Sequence, residues 1–145
     1  MKVITRATLA LLLVPVFLLG CQSDNVEFDE GELLTFEGTL ETFTQVDTYE
    51  FVVVSQGTVR IEVTELVTRI GDTGEPVEPV GIGVAFGRLN AEGTCSPTVS
   101  NVLLPTEAIS VFAPEGVYCL GVIVTGGLYP IGTFLDYTIE LLSGA

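Results

Sequence analysis

The sequence of 145 residues contains no histidine and no tryptophan, and its only lysine is Lys2. Catalysis near neutral pH needs a group that titrates or attacks there, so these absences remove the Ser-His, Cys-His and lysine-based nucleophile schemes. Without tryptophan, a sugar-binding platform would depend on exposed tyrosine or phenylalanine. Only Phe28 and Tyr129 fall in clear predicted loops. We therefore expect no enzyme and no catalytic residue.

Positive charge is also scarce, with five Lys and Arg against nineteen Asp and Glu and a net charge of −14. Lys2 and Arg6 lie in the first ten positions. Without them, Arg60, Arg69 and Arg88 stand against nineteen acidic residues, a net charge of −16. Such a surface repels phosphate backbones, which excludes nucleic acid as a partner, and it repels anionic lipid head groups. Any membrane residence must therefore come from an anchor.

No long apolar run occurs after residue 20, but a shorter run opens the chain. Residues 9–19 are apolar, broken only by Pro15, and they follow the basic Lys2 and Arg6. The run is too short to span a bilayer as a helix and has the length typical of a secretory signal. We predict a signal peptide over residues 1–20.

The leader ends in Leu18-Leu19-Gly20-Cys21, which resembles the lipobox of bacterial lipoproteins. In that family the cysteine thiol is diacylglycerated, the bond before it is cut, and the new amino terminus is acylated, for example with palmitate. The resemblance implies that Cys21 is the lipidation site and that a membrane is the partner of this N-terminal lipid anchor. Gln22 stands where many enteric bacteria place an Asp for inner-membrane retention. We therefore expect localisation in the cell envelope, at the outer rather than the inner membrane. The alternative is an ordinary signal peptide followed by an unrelated cysteine.

The other two cysteines, Cys95 and Cys119, are an even pair in a chain that is predicted to be exported. In an oxidising setting a disulfide is the expected state of such a pair. It would close a loop of about 25 residues and stabilise the fold by roughly 3 kcal/mol in the chain-entropy model. Two thiols without histidine rarely hold zinc. We expect no metal at this pair and no cofactor.

Alternating apolar and polar residues predict strands along the mature chain, most clearly over residues 58–64 and 134–142. Gln56-Gly57 is predicted to be a hairpin turn, and residues 90–107 are predicted to be mostly loop. No mature segment shows helical spacing. The pattern predicts an all-β fold, an antiparallel, jelly-roll-like β-sandwich of about seven or eight strands over residues 33–145. An acidic tether over residues 21–32 would join it to the anchor.

Carboxylates are the remaining candidates for chemistry. Glu62 with Glu65, and Asp136 with Glu140, could form glycosidase-like pairs, but predicted outward faces favour ordinary solvated side chains. Calcium needs several oxygens at defined spacing. Neither the acidic tether nor the 71–80 loop has the spacing of a known calcium loop. We therefore predict no metal site.

Small residues line one face of another predicted strand, at Gly81, Gly83, Ala85 and Gly87. Missing side chains allow close approach, so this face could be a shallow floor for a sugar or a peptide strand. The alternative is that another loop of the chain packs there.

Three patches resemble, in order, the bacterial pre-peptidase C-terminal domain, a small jelly-roll-like β-sandwich common in secreted proteins. They are FEGTL with VDTYEF at 36–40 and 46–51, GVYCLGV at 116–122, and DYTIEL at 136–141. The resemblance implies a β-sandwich over about residues 33–142. It also implies the usual role of that family, which is an accessory module of an exported enzyme.

We predict a lipid-anchored bacterial envelope protein whose β-sandwich is a non-catalytic structural or binding module. An envelope protein or a glycan is the candidate partner. The alternative is an accessory glycan- or calcium-binding subunit of a separate secreted hydrolase.

Overall fold

The computed structural model describes residues 26–41, 46–124 and 129–144. The predicted signal peptide and Cys21 lie outside them. The described residues form ten β-strands: β1 (Val26–Phe28), β2 (Leu33–Glu41), β3 (Val46–Val53), β4 (Gly57–Ile70), β5 (Pro76–Val77), β6 (Ile82–Leu89), β7 (Cys95–Leu103), β8 (Ala108–Ala113), β9 (Gly116–Ile123) and β10 (Thr133–Gly144). Within this part of the chain, no helix is long and apolar enough to cross a membrane.

The strands form two sheets that pack face to face. Sheet A has the order β1-β3-β9-β6-β7, and sheet B has the order β2-β10-β4-β5, with β8 beside β4. Every pair is antiparallel except β1 with β3. The predicted all-β sandwich is confirmed. The strands β1, β5 and β7 fall in segments that were predicted as tether or loop, which explains the higher strand count.

Alternation along each strand places one face of each sheet in a shared core. In β4, Val59, Ile61 and Val63 are almost fully buried, whereas Arg60 is exposed. The strand β10 repeats the pattern, and its inward residues are Leu135, Tyr137, Ile139 and Leu141. Full burial of an aliphatic side chain of this size stabilises the fold by roughly 1.5–3 kcal/mol. The predicted inward faces of these two strands are confirmed.

Aromatic rings fill the centre of the core around Phe51. Its ring centroid lies 5.8 Å from that of Phe28, 6.0 Å from Phe86, 6.2 Å from Phe36 and 6.3 Å from Tyr118. Phe36 belongs to sheet B and the other rings belong to sheet A. Phe51 therefore couples the two sheets, and each such ring pair contributes about 0.5–1.5 kcal/mol beyond its buried area.

The sandwich includes residues that were predicted to be tether. The strand β1 pairs in parallel with Phe51–Val53, and Phe28 is fully buried. Residues Val26–Phe28, within the segment that was predicted as tether, therefore belong to sheet A. A three-residue strand between acidic residues has too little length to show a period, so composition alone suggested a tether. Tyr129 is likewise buried, and its hydroxyl donates to the Gly81 carbonyl oxygen at 2.8 Å.

Two connections also differ from prediction. The strands β3 and β4 lie in different sheets, so Gln56-Gly57 belongs to a crossover between sheets and not to a hairpin. Residues Cys95–Leu103, predicted as loop, form the edge strand β7 beside β6. This strand is mostly exposed and contains Pro97, which lacks a donor N–H. An edge strand tolerates exposure and a proline, because one of its sides is unpaired. These same two features remove the alternation of apolar and polar residues by which a strand is predicted.

A disulfide joins Cys95 of β7 to Cys119 of β9, with 5.8 Å between their Cα atoms, as the cysteine count predicted. It spans the intervening strand β6, whose register with β7 shifts between Phe86 and Gly87. A Cβ built on Gly87 would lie 2.6 Å from the Cα of Pro97. The absence of a side chain at Gly87 therefore lets β7 approach β6 closely next to the disulfide.

We predict that Gly87→Ala destabilises the sandwich, because its methyl group would collide with the β7 backbone. Overpacking of this kind costs about 1–3 kcal/mol. Gly121→Ala is the matched control, since a Cβ there would lie 3.7 Å from the Ala85 Cβ, an ordinary contact. We expect the control to change the free energy of unfolding by less than about 1 kcal/mol. Urea unfolding measures both, and equal losses would contradict the close approach at Gly87.

Candidate functional site

A buried polar cluster lies between the two sheets. Tyr137 of β10 is 2 % exposed, and its hydroxyl donates to Asp47 Oδ2 at 2.6 Å. The same hydroxyl shares a hydrogen bond of 2.5 Å with the hydroxyl of Tyr49, which also lies 3.1 Å from the carbonyl oxygen of Glu37. We call Asp47, Tyr49 and Tyr137 the tyrosine cluster. It connects β3 of sheet A to β10 and β2 of sheet B.

Gly38 makes room for the tyrosine cluster. It is the register partner of Tyr137 on the neighbouring strand β2. A Cβ at this position would meet the Tyr137 hydroxyl and would lie 2.8 Å from Asp47 Oδ2. Glycine inside a strand usually weakens the strand, and it is retained where another group must approach the backbone closely. Here that group is the Tyr137 side chain.

The environment of Tyr137 fixes its protonation state. Burial raises the pKa of the Tyr137 phenol far above its usual range, and the hydrogen bonds to Asp47 and Tyr49 raise this pKa further. A phenolate here would be desolvated and would face a carboxylate. Tyr137 is therefore a hydrogen-bond donor at neutral pH and not a base or a nucleophile. The tyrosine cluster can hold the sheets together but is not equipped for acid–base chemistry.

A shallow cavity of about 410 Å³ lies against β2, β4 and β10, and Glu37, Glu65 and Asp136 are among its lining residues. The Asp136 carboxylate accepts a hydrogen bond from Thr39 Oγ1 at 2.6 Å and pairs with Arg69 Nε at 3.2 Å. These contacts hold Asp136 on the outer face of sheet B.

The carboxylate pairs considered from the sequence lie on this same outer face. Glu62 pairs with Arg60 at 2.9 Å, and Asp136 pairs with Arg69. One member of each proposed pair is thus already held by an arginine. Within residues 26–41, 46–124 and 129–144, no group of three or more His, Cys, Asp or Glu is placed to hold a metal ion.

The acidic turn between β1 and β2 is shaped by its own carboxylates. Asp29 Oδ1 accepts hydrogen bonds from Ser55 Oγ at 2.8 Å and from the Glu30 backbone N–H at 2.7 Å. These two bonds lower the pKa of the Asp29 carboxyl. The Glu32 carboxylate accepts from the Asp29 backbone N–H at 2.8 Å. Acidic residues considered as calcium ligands therefore act as local turn formers here.

The sequence did not reveal the tyrosine cluster as a unit. Two of the sequence patches contain its residues: the patch at 36–40 and 46–51 contains Gly38, Asp47 and Tyr49, and the patch at 136–141 contains Tyr137. The contact between Tyr137 and Asp47 joins positions that are 90 residues apart. Alternation in the sequence places Tyr137 on the inward face of its strand and Tyr49 on the same face as Phe51. Only the pairing of β2 with β10 could show that they meet.

We predict that Tyr137→Phe lowers the free energy of unfolding at pH 7 by about 1–3 kcal/mol, because Asp47 loses a buried donor. The raised pKa adds a pH dependence. Above pH 10 the unfolded state loses the tyrosine proton while the folded state keeps it, so wild-type stability should fall by up to about 1.4 kcal/mol per pH unit. Tyr137→Phe should fall less steeply. Urea unfolding between pH 7 and 11 measures both slopes, and parallel curves would contradict the assignment.

Comparison with known proteins finds no matching family model and no matching curated protein. Among solved structures, the chain is similar to the crystal structure of the pre-peptidase C-terminal domain of a collagenase from Bacillus anthracis. The TM-score is 0.45 at 19 % identity, over 82 % of this chain and 93 % of that chain. Neither an activity nor a binding partner follows from this similarity.

Proposed function

We propose that this chain is a lipid-anchored bacterial envelope protein whose β-sandwich is a non-catalytic structural or binding module. One observation carries the second half of this proposal: the groups that could do chemistry bond to other parts of the fold. Tyr137 donates to Asp47, while Glu62 and Asp136 pair with arginines. Such a domain would then act through its surface, by binding another molecule or by serving as a structural element.

The disulfide supports export. Bonds of this kind persist in oxidising compartments and are rare in the cytosol. The chain has three cysteines, and the bond between Cys95 and Cys119 leaves Cys21 outside it. Cys21 follows directly on the apolar leader and the small residue Gly20, which is the pattern that lipoprotein processing requires.

Anchoring by lipid also fits the charge. A mature net charge of −16, from three arginines and nineteen acidic residues, gives no attraction to anionic head groups. A single acyl chain holds a protein only marginally, with an association constant of about 10⁴ M⁻¹, whereas several chains give durable attachment. Lipoprotein processing at Cys21 would supply several chains, and the sandwich would then stay at the membrane despite its charge.

We predict that Cys21→Ser abolishes incorporation of labelled palmitate and releases the protein from membranes. The control is the double variant Cys95→Ser/Cys119→Ser, which removes the other two cysteines but keeps Cys21. It should retain both the label and the membrane fractionation. Metabolic labelling and fractionation in a bacterial host measure both properties. Membrane association of Cys21→Ser would contradict the anchor, and loss of label in the double variant would mean that labelling does not report on Cys21.

A further inference from the structure

The two outer faces of the sandwich differ in charge. The outer face of sheet B carries Arg60, Glu62, Asp136 and Glu140, among others. On sheet A, two neighbouring rows of residues that run across β3, β9, β6 and β7 contain no charged side chain at all. The strand register gives the first row as Val46, Ile123, Gly83 and Val102, and the second as Thr48, Gly121, Ala85 and Ser100. We call these eight residues the apolar patch.

The larger side chains of the apolar patch are exposed, whereas Gly83 and Gly121 are buried. Val46 is 62 % exposed, Val102 is 47 % exposed and Ile123 is 39 % exposed. A hollow of about 380 Å³ lies against Gly83, Val102 and Ile123. An uncharged surface of this kind, on a chain with a net charge of −14, marks a place that contacts something other than water.

The position of β1 indicates what that contact is. The strand runs parallel to β3, and Val26 lies opposite Phe51. The N-terminal end of β1 therefore points the same way as the direction from Phe51 back toward Val46. Cys21 lies five positions before Val26 in the chain, and Val46 lies five positions before Phe51. Five residues span at most about 17 Å, so a lipid on Cys21 can reach the level of the apolar patch.

Two constraints then select one orientation. The corner of sheet A that carries β1 must stay within reach of the membrane, and the acidic face of sheet B must avoid it. Both constraints are met when the outer face of sheet A lies against the membrane at the end of the sheet that carries Val46. Ile131, 87 % exposed in the turn before β10, lies at this same end. Asp72 and Glu75 follow β4 there, on the side of sheet B, so the sandwich must tilt toward sheet A.

We propose that the apolar patch docks on the lipid surface that holds the Cys21 anchor. This inference rests on the proposed function, because without the anchor nothing brings the sandwich to a membrane. The driving force is burial of exposed valine and isoleucine side chains at the interface, not charge attraction. The patch therefore suits a zwitterionic surface.

Tryptophan fluorescence tests the proposal directly, because the chain contains no tryptophan of its own. The probe is Val102→Trp in the full, acylated chain reconstituted into phosphatidylcholine vesicles. Val102 lies on the opposite edge of sheet A from β1, so lipid contact there requires docking of the whole row. The matched control is Thr35→Trp, an exposed position whose register partner is Glu140 on the outer face of sheet B. Ile123→Trp is a second probe in case Val102→Trp unfolds.

We expect the emission of Val102→Trp to shift to the blue on reconstitution and to lose intensity when the vesicles contain brominated lipid. Thr35→Trp should do neither. Protein that sediments with the vesicles but leaves Val102→Trp unquenched would overturn the docking while the anchor stands. Protein that fails to sediment would overturn the anchor itself. A blue shift that grows with protein concentration, without quenching by brominated lipid, would assign the patch to a second copy of the chain and overturn the docking.

Discussion

The packing of one ring, that of Phe51, is the contact on which the rest of the sandwich depends. It lies between rings from β1, β2, β6 and β9, and its contact with Phe36 joins sheet A to sheet B. With no described helix to cover either sheet, the inner faces can be buried only against each other. The spacing between the sheets that this ring sets is also what brings Tyr137 of one sheet to Asp47 of the other.

Local pattern carries much of this fold, since alternation identifies the buried faces of β4, β6 and β10 without knowledge of their partners. The local pattern does not show which strands pair with each other. The strands β3 and β4 are adjacent in sequence and lie in different sheets, which no period reveals. Phe28 joins the core from an acidic segment, and it is the only buried residue over 26–32, so no alternation marks it in the sequence. The polar edge strand β7 escapes prediction because it is mostly exposed and contains Pro97, so its residues do not alternate clearly between apolar and polar.

The candidate site follows the same division. An inward direction for Tyr49 and Tyr137 follows from alternation, but their contact depends on register across β2 and β10 and on the missing side chain of Gly38. Once paired, the tyrosines and Asp47 satisfy one another, and the outer carboxylates Glu62 and Asp136 are held by arginines. These polar side chains therefore bond to other residues of the domain and stabilise the fold. What remains for contact with the surroundings is the charged outer face of sheet B and the uncharged apolar patch of sheet A.

The position of the disulfide has a consequence for the order in which the domain comes apart. An open sheet ordinarily unzips from its edges, and β7 is one edge of sheet A. Because the bond between Cys95 and Cys119 spans β6, the Cys95 end of β7 cannot leave the sheet without pulling on β9, a central strand. Opening of sheet A is then favoured at the other edge, where the short strand β1 has only three register pairs with β3. Tension applied through the chain that precedes β1 would act at this edge first, on a strand that has only three register pairs with its neighbour.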